Sequence, residues 1–197
     1  GVNIGDFGKR NNESFLDLIN ELDRVNEINR IRISSIEPNL LTDEIIEFCN
    51  SSKKFMPHFH IPLQSGSDKI LRAMRRRYDK KVYKNRIKKI KDTNQDSCIG
   101  VDVIVGFPGE SYEDFLETYS FLIELDITYL HVFSYSERAG TDAIKIDGKV
   151  TKADKSKRSK MLHILSEKKK HSFYNNFINK KRPVSYTHLT LPTIMPV

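Results

Sequence analysis

The chain has 197 residues, 38% of them hydrophobic and 30% charged, with no Trp and a formal net charge of +7. That length allows one sizeable core, and no apolar run approaches the roughly 18–20 residues of a membrane span, so a cytoplasmic globular protein is expected. Cys49 and Cys98 are too few for a disulfide scaffold and too far apart for a metal-ligand spacing, which fits a reducing compartment.

The charge is unevenly placed. Residues 1–150 hold 22 Lys+Arg against 24 Asp+Glu, residues 151–182 hold 11 against 2, and the last 15 residues hold none. Basic character concentrated in one late segment, with a second cluster from Lys69 to Lys91, suits a phosphate-bearing partner; a solvated helix face accounts for it equally well.

In chain order, Gly1 to Gly5 reads as the end of a strand, so a fragment lacking its N-terminal part is expected. Leu16, Ile19, Leu22 and Val25 recur at helical spacing after Ser14, and Arg30 to Ser35 alternates like a strand. Thr42 caps a helix through Phe48, with Asp43 and Glu44 at its positive end. Phe59 to Leu63 reads as strand, Ser67 caps a helix through Met74, and Asp79 caps another through Ile90. Residues 99–105 (IGVDVIV) are almost wholly apolar, as in a strand buried on both faces. Ser111 and Asp114 form a capping box before Phe115, Tyr119 and Leu122, and Ile127 to Tyr135 is a further strand. A long basic helix starts at Thr151, with Leu162, Leu165, Phe173 and Phe177 on one stripe. Pro183 to Val197 is uncharged and without period, and is read as a loop or a foreign tail.

Strict alternation of strand and helix implies a parallel sheet. Neither GxGxxG nor GxxxxGK[ST] occurs, which favours an arc of a (β/α) barrel over a doubly wound nucleotide fold. Domains are expected at 1–150 (partial barrel), 151–182 (basic helix) and 183–197 (tail).

Two strand-to-helix corners, Gln64-Ser65-Gly66-Ser67 and Asp102 to Glu110, lie where parallel α/β proteins bind ligands. Gln64 offers a donor and an acceptor, and Gly66 permits close approach by a ligand or another backbone. Asp102 inside an apolar strand needs a partner, either ribose hydroxyls or a neighbouring strand. His58 and His60 share a strand face, a spacing that can ligate metal; with no third ligand nearby, packing and hydrogen-bonding roles are the stronger expectation. Of Arg75, Arg76 and Arg77, one could hold a carboxylate or phosphate. Tyr135 stands either beside a flat ring or at the edge of the core. No Ser/His/Asp triad, paired catalytic carboxylates or HExxH helix is recognisable.

Taken together, RIRISSIEPN (30–39), HFHIPLQSGSDKILRAMRRRY (58–78), GVDVIVGFPGE (100–110) and FSYSERAGT (133–141) resemble the methylthiotransferase family of radical S-adenosylmethionine enzymes over most of residues 1–182. SSIEPN resembles most the branch acting on N6-threonylcarbamoyladenosine in tRNA; the branch modifying a ribosomal-protein aspartate and a catalytically inactive RNA-binding fragment are the alternatives. The resemblance implies a partial (β/α) radical SAM barrel, S-adenosylmethionine, [4Fe-4S] clusters in the full-length protein and a tRNA substrate. It places Asn3, Gln64 with Ser65, Asp102 and Gly106 in the cofactor pocket, Arg76 on the methionine carboxylate, and Phe133 and Tyr135 at the barrel mouth near the adenine. The family's CxxxCxxC is absent from this chain, so its cluster ligands are expected upstream.

Overall fold

The computed structural model describes residues 4–181. Three parallel strands, β1 (His58–His60), β2 (Cys98–Val105) and β3 (Tyr129–Ser134), form a sheet in the order β1-β2-β3. Helices α1 (Phe15–Arg24) and α2 (Asp43–Ser51) precede it. Helices α3 (Asp68–Ala73) and α4 (Lys80–Thr93) connect β1 to β2, α5 (Tyr112–Glu124) connects β2 to β3, and α6 (Lys152–Asn175) packs on β3. The register pairs His60 with Gly100, Asp102 with His131 and Ile104 with Phe133.

The predicted helix starts hold. Ser14 with Asp17 and Ser111 with Asp114 are complete capping boxes, and Thr42, Asp79 and Thr151 each accept a backbone N–H of the first turn. Ser67 stands at the predicted cap position of α3 but makes no cap bond; its hydroxyl donates to Asp114 at 3.1 Å. Ile4–Asp6 is a short 3-10 helix rather than a strand end, while Asn3 and the 183–197 tail lie outside the described residues.

Residues 30–35 do not form the predicted strand. The segment touches the sheet region through an Ile31–Phe55 bridge and an Ile36 N–H bond to the His60 carbonyl at 3.1 Å. Between these points the ladder fails because His58 N–H bonds the Met56 carbonyl at 2.7 Å across Pro57, using a donor and an acceptor that a continuous ladder would need.

The two sheet faces differ in chemistry. Phe59, Ile99, Val101, Val103, Val105 and Leu130 are buried in one core with Ile87, Ile90, Phe115 and Leu122 of the covering helices and Leu162 of α6. The opposite face carries His58, His60, Asp102, Ile104, Tyr129, His131 and Phe133, none of them fully buried. Alternation along each strand produces this split, and it leaves a polar, accessible face for function.

Candidate functional site

At the C-terminal edge of the sheet the chain leaves β1 through Gln64, which holds a left-handed backbone (φ 69°). A side chain other than glycine there is uncommon and strained, and such positions gather at ligand sites. The geometry follows from a doubled contact: Leu63 and Gln64 both donate N–H to the Asp102 carbonyl, at 3.1 and 2.8 Å, and the Gln64 carbonyl accepts from Ile104 at 2.9 Å. Ser65 turns away from the open face. Its buried hydroxyl lies 3.2 Å from the Thr118 hydroxyl of α5. Gly66 serves close backbone packing: a Cβ there would stand 2.7 Å from the Thr118 Cα.

The second corner is built around Glu110. Gly106 has φ 77° and donates N–H to Glu110 Oε2 at 2.7 Å. Arg158, from α6, ion-pairs with the same oxygen and donates to the Glu110 carbonyl at 3.2 Å. Burial pushes the Glu110 carboxyl up, and the Gly106 N–H and the Arg158 charge oppose that without cancelling it. The Gly106 Cα also lies against the Lys155 stem, since a Cβ would meet Lys155 Cγ at 2.4 Å. A substituent at Gly106 is therefore disfavoured by both dihedral and space.

Arg76 and Tyr135 come together. Arg75, left-handed at φ 56°, ends the α3 turn, and Arg76 N–H reaches back to the Leu71 carbonyl at 2.9 Å. Arg76 Nη1 donates to Glu37 at 3.3 Å, which accounts for Glu37 in the loop before Pro38. A cavity of about 380 Å³ is lined by Arg76, Ile104, Phe107 and Tyr135 together with Asp142 and Ile146. Two buried polar atoms of its lining, Arg76 Nε and the Tyr135 hydroxyl, have no hydrogen-bond partner. Buried polar groups rarely stay unpaired, which makes Arg76 and Tyr135 the candidates for binding a ligand that bears oxygen or nitrogen acceptors. Phe133 is half exposed on the same sheet face. Beside the cavity, across Gly106 and Tyr135, a wider cleft of about 910 Å³ is edged by Lys149, Lys152, Lys155 and Lys160.

One layer below the edge, Asp102 is held by both neighbouring strands. His60 donates from Nε2 to Asp102 Oδ1 at 2.7 Å and from Nδ1 to the Ser34 carbonyl at 2.8 Å; His131 donates from Nδ1 to the same Oδ1 at 3.1 Å. The Asp102 bond raises the His60 imidazole, with burial opposing. Burial pushes Asp102 up, and the two histidines outweigh it and leave the carboxyl below its ordinary value. The neighbouring-strand partners expected for Asp102 are His60 and His131. His58 is the packing histidine. Its Nε2 lies 2.9 Å from the Tyr129 hydroxyl, which reaches it because Gly100 leaves room for the ring. Burial, and then the Arg32 charge, push His58 down to about 4.

Sequence reasoning missed His131 and Arg158. A lone histidine in a strand and one cation among eleven in a basic segment carry no local signal; only register and helix packing single them out.

A parallel α/β sheet with a cavity at the carboxyl edge of its strands has the architecture in which α/β barrels and open α/β sheets bind their ligands. A sequence profile of the radical SAM superfamily matches residues 5–122, and the chain belongs to that superfamily. It is 41% identical over 182 residues to the threonylcarbamoyladenosine tRNA methylthiotransferase MtaB of Bacillus subtilis, covering 91% of this chain and 40% of that protein. It is 37% identical over 169 residues to the tRNA-2-methylthio-N(6)-dimethylallyladenosine synthase of Syntrophus aciditrophicus, covering 85% and 37%. Among solved structures, coproporphyrinogen III oxidase of Escherichia coli, described as a radical SAM enzyme, aligns with TM-score 0.54 at 14% identity, covering 83% of this chain and 36% of that one. The chain thus has the fold of a radical SAM barrel arc and spans about two fifths of the length of the curated relatives it matches.

Membership implies S-adenosylmethionine and a [4Fe-4S] cluster. The cavity's unpaired Arg76 Nε and Tyr135 hydroxyl fit the first, a ligand with a carboxylate and ribose hydroxyls. The described residues do not fit the second. Cys49 is buried with its thiol pushed up to about 12 by desolvation, and the Cys98 thiol is also raised, chiefly by burial. Cluster ligands are thiolates, so these two cysteines make no cluster site.

Proposed function

We propose that this chain is the barrel portion of a cytoplasmic tRNA methylthiotransferase that installs a methylthio group at C2 of N6-threonylcarbamoyladenosine beside the anticodon. The observation that carries the reading is the 41% and 39% identity to two proteins named for that nucleoside, above the 35–37% to relatives named for dimethylallyladenosine. A third threonylcarbamoyladenosine relative, from Thermotoga maritima, stands at 34%. The motif SSIEPN adds to the same side. Among the described residues no helix is long and apolar enough to cross a membrane.

In this reading Arg76 holds the methionine carboxylate in a charge-assisted bond. Tyr135 supplies a hydroxyl to the cofactor; Phe133, with its exposed ring, and Gln64, at its strained turn, lie outside the cavity's lining and would add contacts to the parts of the ligand that extend beyond it. Gly106 lets the Lys155 stem pack against the turn, between the cavity and the wider cleft. Asp102 orders the layer beneath through His60 and His131. Bound S-adenosylmethionine supplies the radical chemistry; the residues named here bind and orient it. The lysine-edged cleft beside Tyr135 suits a polyanion, and phosphate contacts there would position the RNA.

Nucleoside mass spectrometry of tRNA from a strain lacking the gene tests the assignment. The methylthio derivative of threonylcarbamoyladenosine should vanish, return with the intact gene, and fail to return with Arg76→Ala. Loss of the dimethylallyl derivative instead would move the protein to the other tRNA branch. An unchanged profile of both would reject tRNA chemistry and favour the ribosomal-protein branch or an inactive RNA-binding role.

A further inference from the structure

We propose that His60, Asp102 and His131 form a binding site for a zinc-like divalent transition-metal ion on the open face of the sheet, separate from the cofactor cavity and from any iron–sulfur cluster. Three adjacent strands deliver the ligands: β2 pairs Asp102 directly with His131, and His60 of β1, paired with Gly100 two residues earlier on β2, reaches Asp102 through its side chain at 2.7 Å. One ligand atom from each residue lies within 4.8 Å of the others.

The outer contacts are those of a metal-bound histidine. Such a residue ordinarily donates its second ring N–H to a backbone carbonyl or carboxylate, which fixes the tautomer that leaves the first nitrogen free to ligate. His60 already places Nδ1 on the Ser34 carbonyl, 2.8 Å away, and aims Nε2 at Asp102. Tetrahedral bonds of about 2.0–2.1 Å space ligand atoms roughly 3.3 Å apart. The His131–Asp102 distance of 3.1 Å is nearly there, and the His60–Asp102 distance of 2.7 Å needs to open by about half an ångström. His131 is half exposed, so solvent or a ligand can reach the fourth position. Two imidazoles and one carboxylate suit Zn²⁺ and its neighbours rather than Mg²⁺ or Ca²⁺, which take all-oxygen shells. On binding, His60 releases its Nε2 proton to solvent and keeps the Nδ1 proton on Ser34, while His131 shifts from the Nδ1–H tautomer that bonds Asp102 to the Nε2–H tautomer, which frees Nδ1 to ligate.

Titration of the metal-free chain with Co²⁺ tests this. One equivalent should bind with the strong visible absorption of a four-coordinate N/O site and without a thiolate charge-transfer band, and Zn²⁺ should displace it. His131→Ala and Asp102→Asn should each weaken binding by at least about tenfold, the lower end of the loss seen even for outer-shell partners. His163→Ala and His171→Ala should leave it unchanged. Because the His131 side chain is half exposed, its truncation leaves the fold in place. Absence of the visible band, a band indifferent to His131→Ala, or a thiolate band would each overturn the site. None of these results bears on the tRNA reading, which has its own nucleoside readout.

Discussion

Replacing Arg158 with Met tests whether a helix side chain 48 positions from Glu110 holds the Gly106 turn in place. The side chains of Glu110 and Arg158 are 2% and 8% exposed, and Glu110 Oε2 serves both the arginine and the Gly106 N–H. Removing one member of a buried ion pair leaves an uncompensated charge and costs about 3–5 kcal/mol. With a urea m-value of about 2 kcal/mol/M for a domain of this size, the unfolding midpoint should fall by roughly 1.5–2.5 M. The pH dependence supplies an independent check. Burial already raises the Glu110 carboxyl, and loss of Arg158 raises it further. A raised carboxyl contributes stability that is present below its unfolded value, near 4.3, and lost as pH climbs through its folded value. The penalty of Arg158→Met should therefore be smaller at pH 5 than at pH 8. The double variant with Glu110→Gln buries no charge and should recover at least half of the loss. Urea unfolding followed by circular dichroism reads all three proteins. A single-variant loss under about 1 kcal/mol, a loss independent of pH, or a double variant worse than the single would refute the reasoning.

Three further outcomes are expected. Gly66→Ala should lower the melting temperature, because its Cβ would press on the Thr118 backbone at 2.7 Å and overpacking costs about 1–3 kcal/mol; wild-type melting would contradict the packing role. Gln64→Gly should stabilise the chain by about 1 kcal/mol through relief of its left-handed backbone, while weakening S-adenosylmethionine binding by the intact protein. Unchanged cofactor affinity would remove Gln64 from the site. His58, pushed down to about 4, should remain neutral through pH 5.5 in an NMR titration of its ring protons. A depressed histidine contributes stability that is present above its unfolded value, near 6.5, and lost as pH falls toward 4. His58→Gln should accordingly flatten acid unfolding in that window.

Local signals in the sequence located most elements because their causes are local. Ser14, Thr42, Asp79, Ser111 and Thr151 each satisfy a first-turn N–H within three residues, so their helix starts are written in the chain itself. The apolar run at 99–105 became the central strand, but it is not buried on both faces: Ile99, Val101, Val103 and Val105 lie in the core, while Asp102 and Ile104 stand on the open face, because helices cover only one side of the sheet. The strand expected at 30–35 failed where a non-local fact intervened. Its partner edge folds back on itself at Pro57, and alternation in one segment says nothing about the donors of the next.

The site divides along the same line. The sequence alone picked out the two strand-to-helix corners, the cationic step at Arg76 and the family they resemble, since glycines, turns and ordered motifs leave a linear trace. Only the tertiary structure showed that Gly66 and Ser65 serve the packing of α5, that Arg76 and Tyr135 share one cavity with unpaired buried atoms, and that His131 joins His60 around Asp102. Those relations depend on strand register and on which face of a helix meets the sheet. They couple residues 42 and 29 positions from Asp102, and 48 from Glu110, through space rather than along the chain.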